Sequence, residues 1–398
     1  MNHRNFIQEV GIKAGFTDLG VTGVGFSYNS AKRLLLRKKQ GEKTPFVPGD
    51  IVERVTPKKH IPWAKSVLVC TYPFPKLLLK MPKDYHIRGR ISRSAWGKDY
   101  HKVLGEKLVQ LGDNLIEQSI INSYRTFVDT SPLSERELAH RAGVGSFGKN
   151  NSIISSTWGS FVFIGGLFVD KALPQGPIIL QVEDEKVKCL ECNRCVQNCP
   201  GNALGDSGHR LRYWRCISYL TVKKGVIPVE LRPLMEANLY GCDKCLDVCP
   251  LNNSKTRRLK PSQNHDHAYL EISPEKAFPR LDFIMGLSNR EFNEIYGDTA
   301  IHWRGKSTIQ RNAAIAIGNI QKPQGIDILL EALEDKGEMV VLHGLWSIGR
   351  LYAILDKEKK KLVREKLENL KPLRKDIWSE ELEAEYNQLI SKINFTKR

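Results

Sequence analysis

The sequence predicts three parts in chain order: an α/β domain over residues 1–177, a small cysteine-dense domain over 178–260 and an all-α domain over 274–398. Three observations carry this division. Apolar β-branched runs flank a long amphipathic helix in the first part, eight of the nine cysteines crowd between Cys189 and Cys249, and two similar helical segments recur near the C-terminus. The length of 398 residues also exceeds what one ordinary core organises.

In the first part, Ser66–Thr71 and Phe161–Val169 read as buried strands, rich in β-branched and aromatic residues. Tyr100–Gln118 places Val103, Leu104, Leu108, Leu111 and Leu115 on one helical face. Phe6, Val10 and Ile12 stand among polar residues, as in a short amphipathic helix. Cys70, beside the first strand's valines, reads as an inert buried thiol. Pro174, Gly176 and Pro177 punctuate the chain before the cysteines begin.

The cysteines come in two runs. The first is Cys189-x2-Cys192-x2-Cys195-x3-Cys199-Pro200; the second is Cys242-x2-Cys245-x3-Cys249-Pro250, with Cys216 placed 26 residues before it. Three cysteines at successive two-residue spacings wrap a 4Fe–4S cubane, and the fourth of such a run reaches the neighbouring cluster. Cys189, Cys192 and Cys195 are then completed by Cys249, and Cys199 joins Cys216, Cys242 and Cys245. A structural zinc site needs only paired knuckles closing one tetrahedron, and leaves the Cys-Pro endings without a purpose. The segment therefore reads as ferredoxin-like with two 4Fe–4S clusters. Fully ligated cubanes carry electrons and leave the chemistry to another group.

After Lys260 the composition is that of a linker, and from about Pro274 the pattern is helical. Ile309–Ile320 and Met339–Leu351 share a helix of small and apolar residues, about 30 residues apart, with Ile326–Leu333 between them. Such paired units suggest a short HEAT-like stack, against the plainer alternative of a helical bundle.

The formal net charge is +17. An excess of that size suits a polyanion, most simply a nucleic acid; an anionic membrane surface or a merely Lys-rich exterior also accommodates it. No export signal is visible. The longest apolar stretch, Phe161–Val169, is far short of the ~20 residues a spanning helix needs. A cytoplasmic protein with no membrane association is expected.

Two segments approach known signatures without meeting them. Gly143–Asn150 (GVGSFGKN) is G-x-G-x-x-G and nearly a phosphate loop. Polar helical residues precede it where a strand should stand, so Gly143 reads as a helix C-cap. Asn150 replaces the Ser or Thr that would bind magnesium. Asp99-Tyr100-His101 approaches the D-x-H-x-x-G signature of histidine-ligated cobalamin proteins, but Leu104 occupies the glycine position.

Several ordered blocks together resemble one family, the epoxyqueuosine reductases of bacterial tRNA modification. They are Ser92–His101 (SRSAWGKDYH), Val128–Leu133 with Glu135-Arg136, Gly143–Asn150, the two cysteine runs and Cys216–Thr221, followed by the HEAT-like helices. The resemblance covers nearly the full length. It implies a cobalamin, without a histidine ligand from the protein, held in the α/β domain beside the two clusters. It implies reduction of epoxyqueuosine to queuosine at the tRNA wobble position, using two electrons and two protons.

By the same resemblance Asp129 matches the proton donor, its carboxyl kept protonated by burial against the corrin. Its chemical alternative is a turn residue that caps the following helix through Glu135. Arg54, Ser218 and Asp243 match positions near cobalamin, and the block around Trp96 lines the cofactor face, where Ser94 and Ala95 bring no thiol. Lys223, Lys224 and the run Lys357–Lys361 are candidate phosphate contacts. The partners implied are tRNA with epoxyqueuosine in its anticodon loop and an external electron donor of flavodoxin or ferredoxin type, with the enzyme a monomer. A reductive dehalogenase-like enzyme and a non-catalytic electron-carrier subunit are the alternatives.

Overall fold

The structure, a computed structural model, describes residues 3–42, 44–47, 49–74, 79–179, 189, 192–205, 210–252 and 273–395. They form two compact units, each assembled from three separate stretches: 1–77, 97–216 and 243–271 in the first, and 78–96, 217–242 and 272–398 in the second. The chain-order division at 178–260 is thus not how the residues gather. Cys189 to Cys216 belongs to the first unit and Ile217–Cys242 to the second. The expected linker after Lys260 falls outside the described residues.

The first unit is built on five strands, β1 (Asp18–Gly23), β2 (Ser66–Pro73), β3 (Tyr124–Phe127), β4 (Val162–Val169) and β5 (Gly176–Ile179), in the order β3-β4-β2-β1-β5. Every neighbouring pair is antiparallel. The α/β expectation holds as a mixture of helix and sheet, but the pairing is not the parallel kind that the term often denotes. β2 lies mid-sheet with all its residues buried, which is why it reads as an unbroken apolar run instead of an alternating one. Cys70 is buried on it, its thiol donating to the Gly165 carbonyl, and burial pushes its pKa up.

Among the helices of this unit are α1 (His3–Lys13), α2 (Tyr28–Lys39), α3 (Ile51–Val55), α4 (Tyr100–Glu117) and α5 (Glu135–Arg141). On α4 the leucines at 104, 108, 111 and 115 are buried, as the spacing predicts, and the helix packs on β4. Gly165 permits that approach, since a Cβ there would lie 2.9 Å from Leu104 and 3.1 Å from Leu108. On the opposite sheet face Val67, Val69 and Phe168 pack with Leu138 and Ala139 of α5. Helix α1 buries Ile7 and Gly11, whereas Ile12 is exposed and does not join the expected inner face. Helix α5 ends at Arg141, and Gly143 follows with φ of 77°, the left-handed step its C-cap reading requires.

The second unit stacks α6 (Lys306–Ile320), α7 (Gly325–Asp335), α8 (Glu338–Leu351), α9 (Lys357–Leu373) and α10 (Glu380–Phe395). Helix α8 packs on α6, α7 and α10, and α9 packs on α7. At the α6–α8 contact a Cβ on Gly318 would overlap Ser347, whose hydroxyl donates to the Ala314 carbonyl at 2.7 Å. The inner face of α6 is polar as well as apolar. Arg311 donates to the carbonyls of Lys223 (2.6 Å), Gly225 (2.8 Å) and Leu220 (3.1 Å), and Asn312 to those of Thr221 and Leu239, both at 2.8 Å. These bonds join Ile217–Cys242 to the helical tail in one unit. Among the described residues no helix is long and apolar enough to cross a membrane.

Candidate active site

Cys189, Cys192, Cys195 and Cys249 line one open hollow of the first unit, with about 340 Å³ of empty space, open solvent included. Asn193 adopts a left-handed φ of 54° between Cys192 and Cys195, immediately before the short helix Arg194–Gln197. That helix packs against the helix Lys244–Asp247, which leads into Cys249. Burial raises the thiol pKa of Cys195, and the nearby Cys189 and Cys249 raise it further. Burial likewise raises Cys249, with Cys189 and Cys192 adding to it. Burial thus disfavours the Cys195 and Cys249 thiolates, and bound iron would offset that by holding them deprotonated.

Among the described residues no three His, Cys, Asp or Glu side chains converge as the ligands of a single metal ion. A cubane spreads its four thiolates over four irons. Of the other predicted quartet, Cys199, Cys216 and Cys245 belong to the first unit and Cys242 to the second. The Ala203 N–H donates to the Cys199 sulfur at 3.3 Å.

The first unit also holds Asp129. After β3 the chain turns before entering α5, and Asp129 takes φ of 50°, a left-handed conformation that costs a non-glycine residue about 1 kcal/mol. Two hydrogen bonds hold it there. The Tyr100 hydroxyl donates to Asp129 Oδ2 at 2.7 Å, and the Asp129 N–H donates to Glu135 Oε2 at 3.1 Å. Ser131 Oγ donates to the other Glu135 oxygen at 3.3 Å. Asp129 is exposed. Its carboxylate does not cap α5, whose N-cap residue is Ser134, but the turn and the link to Glu135 that the alternative reading expects are both present. Burial, with the Asp129 carboxylate second, pushes Glu135 up to about 8.

Arginines back this turn. Burial, then the charges of Arg37 and Arg54, bring Arg136 down to about 10. Arg136 donates to the Asn151 carbonyl, Arg37 to the Asn151 side chain, and Arg33 pairs with Glu137. Arg54, on α3, has a buried Nε–H with no hydrogen-bond partner among the described residues.

Comparison with known proteins identifies this architecture. Residues 54–130 match the family model for epoxyqueuosine reductase QueG, DUF1730; residues 188–252 match a 4Fe–4S double cluster binding domain; residues 309–335 match a PBS lyase HEAT-like repeat. The epoxyqueuosine reductase of Bacillus subtilis (strain 168) is 37% identical over 364 residues, 89% of this chain and 90% of that one. This chain belongs to the epoxyqueuosine reductase family. It is therefore an oxidoreductase with a 4Fe–4S double cluster domain and a HEAT-like repeat.

Solved structures of epoxyqueuosine reductases match nearly end to end. One, with a tRNA-Tyr epoxyqueuosine-modified tRNA stem loop, is 31% identical with a TM-score of 0.84, covering 98% of both chains. Another, from Bacillus subtilis with an aspartate catalytic loop swung out of the active site, is 32% identical with a TM-score of 0.81, covering 98% of this chain and 100% of that one.

The epoxyqueuosine reductase model spans Arg54, Trp96, Tyr100 and Asp129 together. Arg54, Asp129 and Asp243 lie in the first unit, and Ser218, exposed, in the second. Asp243 opens the helix Lys244–Asp247, its carbonyl accepting the N–H groups of Leu246 and Asp247. In the second unit Trp96 is buried, its indole donating to the Ile91 carbonyl at 2.7 Å. The Lys223 ammonium is turned inward onto the carbonyls of Val226 (2.8 Å) and Lys224 (3.2 Å), which counts against a phosphate contact there. Within Lys357–Lys361, Lys359 pairs with Asp327 at 2.7 Å and Lys361 reaches Glu365 at 3.7 Å, so this run is largely a solvated, ion-paired face. Sequence reasoning missed Tyr100 as a partner of Asp129, although its segment stood out as a near-miss signature.

Proposed function

We propose that this chain removes the epoxide oxygen of epoxyqueuosine at the wobble position of tRNA, leaving queuosine and water for two electrons and two protons. One observation carries the reading. Asp129, exposed and held by Tyr100 and Glu135, stands in the same compact unit as the hollow of four cysteines. The family's match over nine-tenths of both chains supports it.

The residues divide the work. Cys189, Cys192, Cys195 and Cys249 hold one cluster, and Cys199, Cys216, Cys242 and Cys245 the other, carrying electrons inward from an external flavodoxin- or ferredoxin-type donor. Cobalamin, when bound, supplies the low-potential cobalt at which the substrate is reduced. The unpartnered Arg54 Nε–H fits such a ligand, since a corrinoid brings many amide carbonyls and a phosphodiester as acceptors. Ser218 and Asp243 are the other residues assigned to it. Asp129 delivers a proton to the departing epoxide oxygen, which otherwise leaves as an alkoxide. The Tyr100 hydroxyl orients the Asp129 carboxyl, and Glu135 holds its main chain.

The test is anaerobic reconstitution with iron, sulfide and cobalamin, then reduction and incubation with epoxyqueuosine-containing tRNA. Mass spectrometry of the digested product should show loss of one oxygen that needs both cobalamin and reductant. No loss from fully reconstituted protein would reject the assignment and leave an electron carrier.

A further inference from the structure

The glycine-lysine segment that approaches a phosphate loop has a different task in the fold. Ser146–Phe147 and Ile153–Ile154 pair as a small antiparallel hairpin, with Gly148–Ser152 at its tip. The tip is closed by the Gly148 N–H on the Ser152 carbonyl at 2.8 Å and the Asn151 N–H on the Gly148 carbonyl at 2.9 Å. Gly148 lies close against its neighbours in this turn, where a Cβ would come 2.5 Å from Asn150 Oδ1 and 2.9 Å from Ile154. Gly148, Lys149 and Asn150 line the hollow of Cys189, Cys192, Cys195 and Cys249.

Lys149 meets that hollow twice. Its main-chain N–H points at the Cys189 sulfur at 3.5 Å, and its ammonium donates to Asn193 Oδ1 at 2.8 Å. Asn193 is the left-handed residue between Cys192 and Cys195. The lysine is only partly buried, and among the described residues it forms no ion pair within salt-bridge distance of a carboxylate. A cubane bound by four thiolates carries net negative charge, and one-electron reduction adds another. Hydrogen bonds to the sulfurs and nearby net charge are what protein uses to shift such a couple. A cation fixed at the rim of the hollow stabilises the reduced cluster more than the oxidised one.

We infer that Lys149 sets the reduction potential of the cluster held by Cys189, Cys192, Cys195 and Cys249, making that cluster easier to reduce by one electron from the external donor. The inference rests on the assignment of these four cysteines as one ligand set. The ammonium supplies the tunable part, because the N–H on Cys189 is main chain and survives a side-chain change. The Gly-Lys motif thereby belongs to electron transfer instead of phosphate binding.

The experiment uses the full chain, reconstituted anaerobically, with iron and sulfide counted and each cluster followed by EPR during a mediated titration with dithionite. Wild type should carry eight irons and show two cluster signals; fewer than eight would reject the ligand assignment itself, and the inference with it. Lys149→Gln should keep eight irons and move one cluster to lower potential while the other stays. A roughly tenfold less favourable reduction, about 59 mV for a one-electron couple, is the expected size. Lys149→Arg should stay near wild type. Unchanged potentials in Lys149→Gln at full iron content would overturn the inference. So would an equal shift in Lys149→Arg, or loss of four irons from Lys149→Gln, which would make the lysine a structural tie.

Discussion

Asp129 combines an unfavourable backbone angle with two hydrogen bonds that hold it. Replacing it with Asn keeps the shape and removes the transferable proton. Asp129→Asn should therefore lower turnover about 100-fold or more with little change in tRNA affinity, read by product mass spectrometry and by binding. Glu135 gives a pH signature. Its pKa of about 8 lies above the ordinary carboxyl value, so the folded state binds a proton that the unfolded state has already lost at neutral pH. The stability this contributes is complete below the ordinary value and is lost as pH rises through about 8. The melting temperature should fall between pH 6 and 9, and Glu135→Gln, which keeps an acceptor for the Asp129 N–H, should flatten that fall. An identical pH dependence in the variant would remove Glu135 from this role.

Among single residues the cysteines were the most legible, because their spacing reflects the local loop that a cubane demands. Tyr100 was not, since nothing in its segment announces a partner 29 positions away. Arg136 read as part of a family block, yet its burial among other arginines depends on α2 and α3 being brought alongside.

Among the elements, the strands and the long helix were legible from periodicity. β2 and β4 begin within one residue of the runs that predict them, and α4 starts at the predicted Tyr100. Pairing direction was not legible, because an apolar run buried on both faces looks alike in parallel and antiparallel sheets. The glycine pair in β4 shows what the pairing requires. A Cβ on Gly166 would overlap the Leu68 carbonyl and come 2.7 Å from the Phe127 ring. Gly166→Ala should cost about 3 kcal/mol by denaturant titration of the full chain, the upper end for an overpacked core. In the helical stack, Arg311→Met would strand three carbonyls of the 220–225 segment. A loss of about 3 kcal/mol is expected, with faster amide exchange in Ile217–Val222.

At the scale of the molecule, net charge is the property that concerns tRNA. Counterion release makes affinity fall with salt, and neutralising even two phosphates lowers it about tenfold between 50 and 200 mM. Binding of an anticodon stem loop should fall at least that steeply; a flat response would show that the +17 charge is not used for this contact. Lys223 and Lys359 are poor places to look for it, their ammonium groups being engaged within the protein.

The interleaving of the two units also orders events during synthesis. The segment between Cys216 and Cys242 is anchored by Arg311 and Asn312, which leave the ribosome some 70 to 90 residues later than the main-chain carbonyls they bind. Until α6 has emerged, that segment lacks the helix that fixes its path, and two of the eight cysteines stand at its borders. Of the eight cysteines only Cys242 belongs to the unit that waits for α6. A nascent chain halted before residue 306 would hold Cys242 on a segment still without the helix that binds its carbonyls.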